Sequence, residues 1–112
     1  MYDYACKVSR VIDGDTLDLE VDLGMDVRVM TRVRLNGIDA PEMNTPEGKQ
    51  AKKFVEDWVS AYGALGLEVD TIKDKKEKYG RYLAELYGGS RHLNADLVAH
   101  DHAKPYDGGK RV

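Results

Sequence analysis

The residues with the clearest chemical potential lie between Arg34 and Glu42. Arg34-Leu35-Asn36-Gly37-Ile38-Asp39-Ala40-Pro41-Glu42 puts a permanent cation and two carboxylates at the exit of a strand-like run. Upstream, Ile12-Asp13-Gly14-Asp15-Thr16 adds two more carboxylates at a turn. If the two segments pair, four acidic side chains gather near one point, which is costly without a cation. A hard divalent metal is the simplest remedy, and Asp, Glu and backbone carbonyls are the donors Ca²⁺ accepts. Lys78-Tyr79-Gly80-Arg81 supplies a second guanidinium. Two arginines facing a carboxylate-held metal suit a phosphodiester, whose transition state gathers charge on oxygens that forked donors stabilise.

Other chemistries find less support. Asp13 and Asp15 begin like an EF-hand loop, but Leu17, Asp18 and Gly24 then stand where a ligand, the obligatory glycine and the closing glutamate belong. His100 and His102 are two apart on a helix-like stretch and face different ways, so all three histidines read as surface or helix-end residues. Cys6, Ser9 and Ser60 lack a histidine motif, and Ser90 near His92 reads as turn chemistry.

The elements that must hold these residues follow from periodicity. Tyr4 to Val11 predicts a first strand. Thr16 to Leu23 alternates, with Leu17, Leu19, Val21 and Leu23 on one face and Asp18, Glu20 and Asp22 on the other. Val27 to Leu35 alternates likewise, with Val27, Val29, Val33 and Leu35 inward and Arg28, Arg32 and Arg34 outward. The two strands predict an antiparallel hairpin whose acids and bases pair on the outer face. Pro41 biases Ala40 to an extended conformation, which stiffens the loop carrying Asp39 and Glu42. Thr45-Pro46-Glu47 predicts a helix start, and Ala51, Phe54, Val55, Trp58, Val59 and Tyr62 share one helical face as far as Gly63. Trp58 is therefore expected in the core. Leu65 to Ile72 and Tyr82 to Tyr87 predict two more strands on either side of a basic loop, Leu93 to His102 a second helix, and Ala103 to Val112 a polar tail expected to be ordered only through Pro105-Tyr106. Five short strands with helices favour a five-stranded Greek-key barrel of the oligonucleotide/oligosaccharide-binding kind, with an α+β meander sheet as the alternative.

At 112 residues the chain is expected to form a single domain. No apolar run approaches a membrane span, and Met1-Tyr2-Asp3-Tyr4 has no apolar targeting region, so an intracellular protein is expected, with a phage-borne one a loose fit. The lone Cys6 excludes a disulfide within the chain. The net charge of −3 argues against tight, non-specific duplex binding. Locally the balance reverses: Lys73, Lys75, Lys76, Lys78 and Arg81 face only Asp74 and Glu77, a patch able to steer a polyanion.

Taken together, Val11 to Thr16, Arg34 with Asp39-Ala40-Pro41-Glu42, Thr45-Pro46-Glu47-Gly48, Tyr79-Gly80-Arg81 and Leu93-Asn94-Ala95-Asp96-Leu97-Val98 closely resemble the staphylococcal nuclease-like (thermonuclease) family. The resemblance runs from about Lys7 to Tyr106. It implies a barrel with attached helices and a Ca²⁺-dependent hydrolase that cuts DNA or RNA, single strands favoured, to leave 3′-phosphates; a monomer without membrane partners is expected. It further implies Asp15, Asp39 and the Ala40 carbonyl as Ca²⁺ ligands with Asp13 behind them. Glu42 would orient or deprotonate water, Arg34 and Arg81 would clamp phosphate, and Lys78, Tyr79 and Tyr106 would contact a flanking phosphate. Ala40 stands where the family's best-known member has threonine, which removes a hydroxyl but keeps the carbonyl. The chain also stops short of a long third helix, so substrate grip is expected to differ. The alternative reading is a non-catalytic nucleic-acid or protein-binding module on the same barrel.

Overall fold

A computed structural model describes residues 2–76 and 82–106. Its centre is a closed five-stranded barrel. Strand β1 (Tyr2–Asp13) pairs antiparallel with β2 (Thr16–Gly24) through its second half and with β5 (Leu67–Lys76) through its first. Strand β2 pairs with β3 (Val27–Leu35), and β5 with β6 (Tyr82–Gly88), both antiparallel. The ring closes where β3 runs parallel to β6, with Val33, Leu35 and Arg34 opposite Tyr82, Ala84 and Leu83. Full closure removes the exposed sheet edge over that stretch. Register shifts after Val8 and after Val11 let β1 bend and serve both neighbours.

Strand β1 is longer than the expected Tyr4–Val11, and β5 continues to Lys76, so the start of the expected basic loop is strand. The hairpin pairs as the alternation predicts: Arg32 forms a two-pronged bond to Asp18, and Arg28 lies 3.9 Å from Glu20. Burial follows alternation only at the barrel end. Leu17, Leu19, Val33 and Leu35 are sealed, whereas Leu23, Val27 and Val29, expected inward, are 46%, 49% and 41% exposed. Beyond Val21 the hairpin outruns the barrel, and among the described residues nothing covers its inner face.

Helix α1 (Pro46–Tyr62) starts as expected, with Thr45 Oγ1 accepting from the Gly48 amide at 3.0 Å. Gly63 does not end it through a left-handed turn. It keeps φ −61° and leads into a 3₁₀ turn, and the left-handed residue is Gly66 at φ 86°. Trp58 is core, 4% exposed, and its indole nitrogen donates to Asp96 at 2.9 Å.

Helix α2 (Leu93–Ala99) is shorter than the expected Leu93–His102. Asp101 adopts φ 61°, and the amides of Asp101 and His102 turn back onto the carbonyls of Val98 and Leu97. Three two-residue strands were not foreseen: β4 (Ile38–Asp39), β7 (Arg91–His92) and β8 (Lys104–Pro105). The expected polar tail thus enters the fold through β8, which pairs with β4.

Asn94 joins these parts. Buried at 3% exposure, it accepts from the Leu86 amide and donates to the carbonyls of Ala84 and Asn36, so it links α2, β6 and the turn after β3. Asn94→Ala leaves the Leu86 amide and the Asn36 carbonyl without this partner, each costing about 1–3 kcal/mol if it stays dry, while the Ala84 carbonyl keeps the Asn36 amide. A loss of about 3 kcal/mol in urea-unfolding stability is expected.

Candidate active site

The Asp13-Gly14-Asp15 turn lies against the loop after β3. A Cβ at Gly14 would come within 2.8 Å of the Cβ atoms of both Ala40 and Ala51, so glycine is what lets the turn nestle between this loop and α1. The Asp15 carbonyl accepts from the Leu35 amide at 2.8 Å, and its Oδ2 accepts from the Ala40 amide at 3.0 Å. Thr16, 2% exposed, donates its hydroxyl to Asp15 Oδ1 at 3.1 Å, and Asp13 Oδ1 accepts from the Asp15 amide.

Arg34 lies at the centre. Its Nη2 donates to the Ile38 carbonyl at 3.0 Å and to Asp39 Oδ1 at 3.3 Å, and lies 3.6 Å from Asp15 Oδ2. Its guanidinium carbon lies 5.1 Å from the centre of the Tyr106 ring, within cation–π range. Tyr106 is held by its own amide, which donates to the Gly37 carbonyl at 2.8 Å, and by the β4–β8 pairing just before it. The structure therefore brings together Asp13, Asp15, Arg34, Asp39, Ala40 and Tyr106. Glu42 projects from the same loop into solvent, while its carbonyl accepts from the Thr45 amide and hydroxyl. Gly48 must be glycine for this loop to close, because a Cβ there would overlap the Glu42 carbonyl. Lys78, Tyr79 and Arg81 lie outside the described residues.

Sequence reasoning assigned no role to Thr16 or to the Ile38 carbonyl. A threonine following Asp15 in a strand was the available signal for the first. The second, a main-chain acceptor, leaves no mark on residue type.

Asp15 is 7% exposed, and burial is the largest cause pushing its carboxyl from an ordinary 3.8 up to about 6. Asp13 adds to the shift, while the Ala40 amide and Arg34 oppose it. Between those values the folded chain holds a proton that the unfolded chain has released. This contribution is therefore fully present below pH 3.8 and is lost as pH rises through about 6. Asp18, held down chiefly by its bond to Arg32, contributes the opposite slope, so the comparison with a variant isolates Asp15. In metal-free buffer, Asp15→Asn is expected to remove a stability loss on the order of 2–3 kcal/mol between about pH 4 and pH 6. Denaturant melts of both proteins across that range are the measurement.

The donors fit a hard cation. Carboxylate oxygens of Asp15 and Asp39 converge on a single nitrogen of Arg34, and the more buried one is poorly compensated by its present partners. Among the described residues, no three His, Cys, Asp or Glu side chains cluster closely enough to hold an ion by themselves. Main-chain carbonyl, water or substrate oxygens would have to complete the shell.

A model of the family described as staphylococcal nuclease homologue matches residues 32–110. The chain belongs to this family. The match includes the Arg34–Glu42 loop and Tyr106, while Asp13 and Asp15 precede it. Similar proteins include the thermonuclease of Staphylococcus intermedius, 40% identical over 97 residues covering 81% of this chain and 53% of the relative. The micrococcal nuclease of Shigella flexneri is 34% identical over 85 residues, covering 76% and 43%. An uncharacterized endonuclease of Haemophilus influenzae is 31% identical over 101 residues, covering 90% and 52%. This staphylococcal nuclease homologue thus spans about half the length of the curated relatives it matches. Among its described residues, no helix is long and apolar enough to cross a membrane.

Proposed function

We propose that this domain is a Ca²⁺-dependent phosphodiesterase that hydrolyses DNA or RNA, single strands preferentially, and leaves 3′-phosphates. The observation that carries the reading is the meeting of Asp15, Asp39 and Arg34 at one point, since anionic oxygens and a forked cation are there presented together. Nuclease and endonuclease names among the relatives support it. Asp15, Asp39 and the Ala40 carbonyl would hold the cation, with Asp13 fixing the Asp15 turn. The ion would supply positive charge to a phosphate that two carboxylates would otherwise repel.

The chain's own residues have distinct tasks. Arg34, fixed on one side by Ile38 and Asp39 and below by Tyr106, offers its remaining N–H groups to the phosphoryl oxygens as their charge grows. Glu42, on an exposed loop, takes a proton from water as the water oxygen bonds to phosphorus. The P–O5′ bond breaks, and the departing 5′-oxygen takes up a proton. Arg81 would be the second clamp, and Lys78, Tyr79 and Tyr106 would meet a flanking phosphate. One chain carries every group assigned, so a monomer suffices for the reaction.

Incubation of plasmid and of single-stranded oligonucleotide with Ca²⁺, and with Ca²⁺ plus excess chelator, tests the reading. Cleavage is expected only without chelator, with 3′-phosphate ends. Undiminished cleavage in chelator would remove the metal, and binding without cleavage in any divalent salt would favour the non-catalytic module.

A further inference from the structure

The flank of the barrel carries a groove to which the reaction assigns no part. It runs between β1 and α1, has a volume of about 430 Å³, and is lined by described residues throughout. Both of its walls lead away from one point, where Gly14 rests against Ala51 beside the candidate site. Back along β1 from there come Val11, Arg10 and Val8, and onward along α1 come Lys52, Glu56 and Val59. The two cations therefore stand at the end nearer the site, with the carboxylate and two valines at the far end. Three residues of strand, roughly 10 Å at about 3.4 Å each, separate Arg10 from Asp13.

The charged side chains of the groove are unengaged. Arg10 and Glu56 are exposed and Lys52 is half-buried, and among the described residues none of the three makes an ion pair or a side-chain hydrogen bond. Lys52 and Glu56 are one helical turn apart in the order, lysine first, that a helix favours less. Asp18, directly opposite Arg10 on β2, gives both of its oxygens to Arg32. Between Val8 and Arg10 the register jumps, and the extra residue, Ser9, donates its hydroxyl to the Asp18 carbonyl at 3.1 Å. That bond ties the bulged strand to β2 and fixes this wall of the groove.

Two cations, a carboxylate and apolar walls match the parts of one nucleotide. Phosphate oxygens suit a guanidinium and an ammonium, aliphatic side chains suit the face of a base, and a carboxylate accepts from the amino group of cytosine. A bare inorganic anion would meet only repulsion at Glu56. We propose that the groove is a second nucleotide subsite for a single strand whose other part lies in the candidate active site. Arg10 and Lys52 hold a phosphate on the flank of the scissile one, and Glu56 accepts from the amino group of that nucleotide's base as it lies against Val8 and Val59. The proposal rests on the nuclease reading for its substrate class. The subsite adds affinity and touches no atom of the bond that breaks.

Binding and cleavage are read separately on the whole chain. In excess chelator, fluorescence anisotropy with labelled oligo-dC is expected to show Arg10→Gln/Lys52→Gln binding at least ~10-fold more weakly than wild type. The slope of log K against log salt should become shallower by about 0.7, the value for one phosphate of a single strand. Arg28→Gln/Lys53→Gln removes the same charge outside the groove and should change affinity by less than ~2-fold. Wild type should prefer oligo-dC to oligo-dT by about 5-fold, and Glu56→Ala should bring the two within about 2-fold of each other. With Ca²⁺, the groove variant should raise KM for oligo-dC about 10-fold at unchanged kcat, and should leave a dinucleotide unaffected, since its single phosphate is the scissile one. Equal binding by the two charge variants, a preference for oligo-dC that survives Glu56→Ala, or a wild type that binds no oligo-dC in chelator would each overturn the subsite. Binding that meets these expectations in a chain that never cleaves would leave the subsite standing and remove the nuclease reading instead.

Discussion

Glu42→Gln is expected to lower the single-turnover cleavage rate by about 10²–10⁴, the usual contribution of a positioned general base. The substitution keeps size and polarity and removes the ability to accept a proton. Its structural cost is small, because the side chain is exposed and the loop is anchored through the Glu42 carbonyl, which Thr45 holds whatever the side chain. Thermal stability and affinity for an uncleavable nucleotide should therefore stay near wild type. A variant that cleaves at the wild-type rate would transfer the proton to another acceptor and end the role given to Glu42.

Arg34→Lys is expected to reduce the same rate by about 10²–10³, the range for losing one preorganised donor to a developing oxyanion. Charge is conserved, but geometry is not. A guanidinium holds the Ile38 carbonyl and Asp39 with one nitrogen, stays within cation–π range of Tyr106 and still has N–H groups to spare. An ammonium has a single nitrogen, which Asp39 and Asp15 would draw inward, leaving nothing in a fixed direction for phosphate. Nucleotide affinity in Ca²⁺ should change only a few fold, because attraction at a distance depends on charge more than shape. Cleavage by Arg34→Lys as fast as wild type would show that no transition-state contact is made there and would favour a binding module.

The strands and helices that carry the site were legible because each has a repeating pattern. Alternation in Thr16–Leu35 gave the hairpin and its outward ion pairs, and the Thr45-Pro46 start placed α1. Alternation states which side chains share a face and not what lies opposite. Leu23, Val27 and Val29 obey the pattern and are still exposed, because the barrel ends before they do. Two-residue strands have no period at all, so β4 and β8 left no trace. The second helix overran for a related reason: Leu93, Leu97 and Val98 fix a face, while the left-handed turn at Asp101 fixes the end. At the site, Asp15, Arg34, Asp39 and Tyr106 were legible as residue types. What holds them, the Ile38 and Gly37 carbonyls, the Ala40 amide and the Asn94 amide group, consists of main-chain partners and a buried polar residue.

The pairing of Ile38–Asp39 with Lys104–Pro105 sets an order of events during synthesis. Arg34 and Asp39 leave the ribosome some 65 residues before the strand that borders them, and Tyr106, the ring beneath Arg34, follows that strand at once. Until then β4 lacks its partner strand and the guanidinium lacks its platform. A nascent chain therefore carries the Arg34–Glu42 loop without its bordering strand while the later barrel strands are made, and the arrangement around Arg34 is completed only once Tyr106 has followed.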